Sequence, residues 1–277
     1  MSTMTPWFAD AMLLDPVDGP AHGRPRTFAA VLNEHWTIGP KVHGGVMVAL
    51  CAKAAARAYQ DGEPDAGGPA VAPVAVSVNF LSAPEPGEVR VLADVRKRGR
   101  RIGTVDVELV AAGRTCVHAA VTLGSLGHGE PLLIAPPAVA MSAEPPADIP
   151  PIGPGHAGAD INNLARGCHI HPAAAGTDPQ ALFSIWVRPR VGQVDEYFAL
   201  MCGDISVPVS YAVGRRGWAP TVQLTAYLRG VPVDGWLRVL CGATQIGPDW
   251  FDEDHTVIDS AGRVVVQTRQ LALLPGR

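Results

Sequence analysis

The chain has 277 residues and a mass of 29.0 kDa, with 47% hydrophobic and 17% charged residues, a balance that buries a sizeable core and excludes a disordered chain. A formal charge of −4 and a pI near 6.1 exclude a general attraction to nucleic acid or anionic membrane. The length predicts one or two domains, two being the better fit.

The first helix is predicted over 44–60, GGVMVALCAKAAARAYQ, a stretch rich in Ala, Met and Leu with no interior Gly or Pro. Three strand-like runs follow: VAVSVNFL (74–81), VRVLADVRKRG (89–99), and TVDVELVAAGRTCVHAAVTLG (104–124), the last reading as two strands joined at Ala112-Gly113. Residues 126–155 hold eight prolines, which favour extended chain over helix or sheet interior and predict a linker crossing the surface. Beyond it, VDEYFALMCGD (194–204) reads as a second helix, and TVQLTAYL (221–228), WLRVLCGATQIG (236–247), DHTVIDS (254–260) and RVVVQTRQLALL (263–274) as strands.

The order repeats because the sequence does. Pro84, Gly87, Arg90, Val91 and Leu92 recur as Pro232, Gly235, Arg238, Val239 and Leu240 at a constant offset of 148 residues, and Gly113-Arg114 recurs as Gly262-Arg263 at 149. Two copies of one module are expected, over 1–125 and 156–277, with the linker at 126–155. Each is an α+β unit with its helix laid on one face of an antiparallel sheet, and side by side they would form one continuous sheet carrying two helices. No apolar run reaches the roughly 18 residues of a membrane span. The opening MSTMTPWFAD lacks the basic start and apolar stretch of a secretory signal, so a cytoplasmic location is expected. Cys51, Cys116, Cys168, Cys202 and Cys241 are odd in number and widely spaced. They predict buried free thiols in place of a disulfide framework.

The stretch HWTIGPKVHGGVMVALCAKAAARA resembles the opening helix of the hotdog fold in acyl-CoA thioesterases. VDEYFALMCGD, PTVQLTAYLRGVPVDGWL and DSAGRVVVQTRQLALLPGR are similar to the second half of the type II acyl-CoA thioesterases, which are double hotdogs in a single chain. The resemblance implies hydrolysis of fatty acyl-CoA to fatty acid and CoA without a cofactor or metal, in an assembly of two or more copies. It also implies a catalytic Asp, Thr and Gln, which match Asp204, Thr221 and Gln270.

Thioester hydrolysis needs a water aimed at the carbonyl carbon, an acceptor for its proton, and donors for the developing oxyanion. Asp204 could accept the proton; it follows Gly203 at a predicted helix end, a setting that raises a carboxylate pKa. Strict alternation would put Thr221, Gln223, Thr225 and Tyr227 on one strand face; the strand after Thr221 is one residue shorter than the resemblance implies before Trp236, so Gln223 or Thr225 could fill the place of the threonine. Thr268 and Gln270 share a face of the last strand. His43, Gly44 and Gly45 open the first helix, whose N–H groups could meet an oxyanion or whose glycines could serve close packing. In the basic run 96–101, Arg98, Arg100 and Arg101 could face the phosphates of CoA or form a solvated hairpin. His169 and His171 have H-x-H spacing without a surrounding carboxylate cluster, which argues against a metal site. GPDWFDEDH reads as a loop near the site or as surface. Two other readings stay open: a non-catalytic acyl-CoA or lipid binder, and a hotdog enoyl-CoA hydratase. The hydratase motif needs a His five residues after the Asp, where this chain has Val209.

Overall fold

Alternating side chains give a strand two faces, and an Ala-rich run gives a helix thin enough to pack closely on a sheet. Both devices appear in the computed structural model, which describes residues 7–17, 25–61, 71–127, 132–133, 139–153, 156, 160–179 and 181–276. The first half contains α1 (Phe8–Ala11), β1 (Asp15–Pro16), β2 (Arg26–Leu32), β3 (Thr37–Ile38), β4 (Lys41–Val42), α2 (Gly44–Gln60), β5 (Ala72–Phe80), β6 (Gly87–Arg98), β7 (Ile102–Ala111) and β8 (Arg114–Gly124). The second contains β9 (Cys168–Pro172), β10 (Phe183–Pro189), α3 (Glu196–Cys202), β11 (Thr221–Leu228), β12 (Leu237–Gly242), β13 (Trp250–Ile258) and β14 (Val264–Leu273).

Twelve of the strands form one antiparallel sheet in the order β1-β2-β6-β7-β8-β5-β11-β14-β13-β12-β10-β9, and β3 pairs with β4 apart from it. The two halves meet at β5 and β11, where Ser77 lies opposite Thr225 and Ala75 opposite Tyr227. Ser77 and Thr225 are separated by the same 148 residues as the sequence repeat. The copies are therefore related by a local twofold passing between these two residues, whose hydroxyl oxygens are 3.2 Å apart.

Helix α2 packs against β5, β6, β7, β8 and α3. Its residues from Gly45 to Ala56 are buried almost without a break, and alanines are what so enclosed a helix needs. Trp36, fully buried, meets Phe8 of α1 edge-on, and Phe8 meets Phe198 of α3 the same way, with ring centroids 5.3 and 5.2 Å apart. These rings join the N-terminal segment to both halves. All five cysteines are free and buried, as expected.

Several elements differ from expectation. Strands β2 and β10, which precede the helix in each half, were not foreseen. Helix α3 is a single short segment, capped by the Asp195 carboxylate, which accepts from Phe198 N–H at 2.7 Å. Strand β13 begins at Trp250, so GPDWFDEDH is largely strand and not loop. The described part of the proline-rich stretch forms no helix or strand, but it does more than cross the surface. Met141 packs with Trp186, Leu240 and Ile258 on the face of the second half's sheet turned away from the helices. Trp186 Nε1 donates to the Ser142 carbonyl at 2.8 Å, and Ile152 N–H to that of Ile170 at 2.7 Å.

Candidate active site

The site is built where the start of α2 meets the segment that follows α3. Asp204 lies just beyond Gly203, which closes α3, and its N–H donates to the Met201 carbonyl at 3.2 Å. The carboxylate, about 10% exposed, receives hydrogen bonds from the Gly45 backbone N–H and the Gln270 side chain. Gln270 Oε1 in turn accepts from the Thr221 hydroxyl at 3.2 Å. His43, the residue before α2, donates from Nε2 to the Asp204 backbone carbonyl at 2.8 Å, and its Nε2 is 3.8 Å from Asp204 Oδ2. Asp204, Thr221, Gln270, His43, Gly44 and Gly45 are thus one contiguous group drawn from both halves.

Burial raises the Asp204 carboxyl from 3.8 to about 7, against the lowering effect of its hydrogen bonds from Gly45 and Gln270. The sequence reading pointed in the same direction but for another reason. Burial is the leading cause, and the N-terminus of α2, whose Gly45 N–H bonds the carboxylate, favours the anion. Burial also takes His43 down to about 4, so it is neutral at pH 7.

The paired glycines serve close approach. A Cβ on Gly44 would stand 2.5 Å from Asp204 Oδ2, and one on Gly45 would run into the Met201 carbonyl and the His43 ring. Because the Gly45 N–H is directed to Asp204, this donor stabilises the carboxylate in the structure as it stands.

Strict alternation along β11 fails at one point, and the failure matters. A bulge between Thr221 and Gln223 places Thr221 opposite Ala272 while Gln223 lies opposite Leu271 and Leu224 opposite Gln270. Directly opposed residues share a face, so Thr221 joins Gln270 and Ala272 on the inner face. Gln223 and Thr225 stay on the outer one. There Gln223 Nε2 donates to Thr225 Oγ1 at 2.9 Å and Thr225 meets Ser77. The expectation that Thr221, Gln223 and Thr225 share a face is corrected: of the three, Thr221 alone reaches Gln270, because an extra residue in one strand flips the facing of what precedes it.

Two inward residues of β13, Glu253 and His255, were missed. They lie opposite Gln270 and Thr268 and are 2% and 1% exposed. The signal was the alternation in WFDEDHTVI, where the outward Asp252 and Asp254 pair with Arg269. Ser206 Oγ stands among Glu253 Oε1, His255 Nε2 and Cys241 Sγ at 3.0, 2.9 and 3.1 Å. Cys241, Glu253 and His255 are, among the described residues, the one group of His, Cys and carboxylate ligand atoms that converge, within 4.8 Å of one another. The Ser206 hydroxyl lies within hydrogen-bond distance of all three.

The basic run lies elsewhere. Arg98 donates to the carbonyls of Tyr59 and Ala58 and stacks on the Tyr59 ring, closing the C-terminal end of α2. Asp204 is at the N-terminal end, and the 17 residues of α2 put roughly 25 Å between them. Arg100 and Arg101 are exposed at the tip of the same hairpin. His169 and His171 flank Trp236; His171 Nδ1 bonds the Ile149 carbonyl at 2.8 Å, and His169 meets Arg190. Surface hollows of about 420 and 720 Å³ are lined by neither Asp204, Thr221 nor Gln270.

The architecture, with α2 and α3 on one continuous sheet of twelve strands among the described residues and a local twofold, is the double hotdog that the sequence led us to expect. It is shared with solved proteins of low identity. A candidate thioesterase II of Thermobifida fusca is 24% identical with a TM-score of 0.78, covering 99% of this chain and 100% of that one. The acyl-CoA thioesterase II of Mycobacterium marinum is 14% identical with a TM-score of 0.71, covering 98% of this chain and 97% of that one. Residues 32–124 match the acyl-CoA thioesterase N-terminal domain and residues 142–274 the C-terminal domain. The chain belongs to the acyl-CoA thioesterase family. An uncharacterised protein of Mycobacterium tuberculosis is 52% identical over 296 residues, covering 99% of this chain and all of that one.

Proposed function

We propose that the protein hydrolyses fatty acyl-CoA to a fatty acid and CoA. A water held against Asp204 and Thr221 attacks the thioester carbonyl carbon, and its proton passes to Asp204. The C–S bond then breaks, and the departing thiolate takes that proton as CoA leaves. Gln270 keeps Asp204 and Thr221 in register through its amide, and the positive end of α2 faces the charge that develops. The observation that carries this reading is the buried Asp204 carboxylate held by Gly45, Gln270 and, through Gln270, Thr221. With a pKa raised to about 7, it is a base matched to neutral pH.

The test is release of free CoA, read with a thiol reagent, across acyl-CoAs from acetyl to palmitoyl. Turnover that falls by about 10³-fold in Asp204→Asn supports the reading. Binding of acyl-CoA without CoA release would favour a carrier, and release undiminished in Asp204→Asn would move the chemistry elsewhere.

A further inference from the structure

The stretch from Gly203 to Val209 carries Asp204 between two helical segments, and three separate side-chain attachments hold it. The Thr268 hydroxyl donates to the Gly203 carbonyl. Ser206 is held by Glu253 and His255. The Val209 N–H donates to Glu253 Oε2 at 3.0 Å. All three originate on the inner face of β13 and β14, next to Gln270, which is the cross-strand neighbour of Glu253. Buried ionisable groups often add no stability over apolar residues of the same volume, and Glu253, His255 and Thr268 are buried here with Ser206 partly so. What they add is a single geometry.

We propose that Glu253 and His255 are positioning residues which, through Ser206 and Thr268, grip the segment on both sides of Asp204 and fix its carboxylate against Gly45 and Gln270. This rests on the reading of Asp204 as the base. Neutral imidazole has one donor and one acceptor, and each hydroxyl has one proton. With Glu253 protonated, every link can donate forward: Glu253 to Ser206, Ser206 to His255 Nε2, His255 Nδ1 to Thr268 at 3.3 Å, and Thr268 to the Gly203 carbonyl. When Glu253 ionises, Ser206 turns its proton to the carboxylate. In the arrangement we propose, His255 then donates from Nε2 to Ser206 and accepts at Nδ1, which draws the Thr268 proton away from Gly203. The productive state therefore has a proton on Glu253 and none on Asp204.

The surroundings agree. Burial, with the Asp204 charge adding to it, raises Glu253 to about 7 against the lowering effect of its hydrogen bonds from Val209 and Ser206. His255 is lowered to about 3 by burial and then by His43. The Cys241 thiol is pushed well up by burial, with Glu253 and Asp254 adding to it. Neither His255 nor Cys241 changes charge near pH 7.

The test is kcat and kcat/KM against pH for octanoyl-CoA and palmitoyl-CoA, in the wild type and in Glu253→Gln, Ser206→Ala and Asp204→Asn, each checked for folding by circular dichroism. The amide introduced by Glu253→Gln mimics the protonated acid, so this variant is expected to keep kcat at pH 7 within about threefold and to lose the alkaline fall of a bell-shaped profile. Ser206→Ala cuts the chain and is expected to lower kcat by about 10-fold with KM within about twofold. An alkaline limb that persists in Glu253→Gln, together with a normal kcat in Ser206→Ala, overturns the proposal while a dead Asp204→Asn still supports the hydrolytic site. Full activity in Asp204→Asn, or none in the wild type, overturns both. If Glu253→Gln fails to fold, Ser206→Ala decides alone.

Discussion

Replacing Asp204 with Asn is expected to cost activity and to stabilise the protein, with the second effect confined to neutral and alkaline pH. Burial raises the carboxyl from 3.8 to about 7, so the folded protein binds this proton more tightly than the unfolded chain does. A group with a raised folded pKa contributes stability that is lost as pH climbs from its unfolded to its folded value. At about 1.4 kcal/mol per unit, wild type gives up about 4 kcal/mol between pH 4 and pH 8. The asparagine has no proton to lose and keeps an acceptor for Gly45 N–H. Glu253, also raised to about 7, titrates in the same direction, and His43 and His255, lowered to about 4 and 3, in the opposite one. These three are present in both proteins, and removing the Asp204 charge lowers Glu253 as well, which adds to the gain. Thermal unfolding at pH 8 should therefore show Asp204→Asn melting roughly 7 °C higher for a chain of this length, with the difference vanishing at pH 4. A variant that melts with wild type at both pH values would refute the claim that this carboxyl is buried at a cost.

Thr221→Val should lower kcat by about 100-fold with little change in KM, because the lost hydroxyl acts on the reacting water. The same change at Thr225, on the outer face, should leave kcat within about threefold; equal losses at both would mean that the bulge does not set the facing of Thr221. Gly44→Ala would press a Cβ to 2.5 Å from Asp204 Oδ2. It should cost about 1–3 kcal/mol in a denaturant titration together with most of the activity, and a fully active variant would remove close approach as the role of that glycine. Ala112 has φ 49°, followed by Gly113 at 74°, in the β7–β8 turn. Ala112→Gly should raise stability by about 1 kcal/mol in the same titration, and a loss would mean that the turn is not strained.

What the sequence disclosed follows from local chemistry and duplication. The repeat predicted two modules in one continuous sheet, and the structure joins them at residues one repeat apart, Ser77 and Thr225. The span of α2 was legible from its uninterrupted run of helix formers, and the hairpin at Ala112-Gly113 from its turn residue. Asp204, Thr221 and Gln270 were named through resemblance, and their meeting depends on a feature that alternation hides. A bulge has no composition of its own here, so nothing in TVQLTAYL announces that its first residue faces the other way from the third. Glu253 and His255 were passed over because four acidic residues in GPDWFDEDH read as surface, when alternation sends half of the strand inward. The helix-side role of Gly44 and Gly45 needed the other half of the chain to be in place, and the packing of Met141 against Trp186 was invisible in a stretch defined by its prolines.

A crystal structure of Asp204→Asn soaked with octanoyl-CoA tests most directly whether this group of residues is where a thioester is cleaved. The thioester carbonyl carbon is expected beside position 204, with a water about 3–3.5 Å from that carbon and bonded to Thr221. An acyl-CoA lying instead along the Arg100–Arg101 hairpin, with its thioester far from position 204 and no water at Thr221, would contradict it.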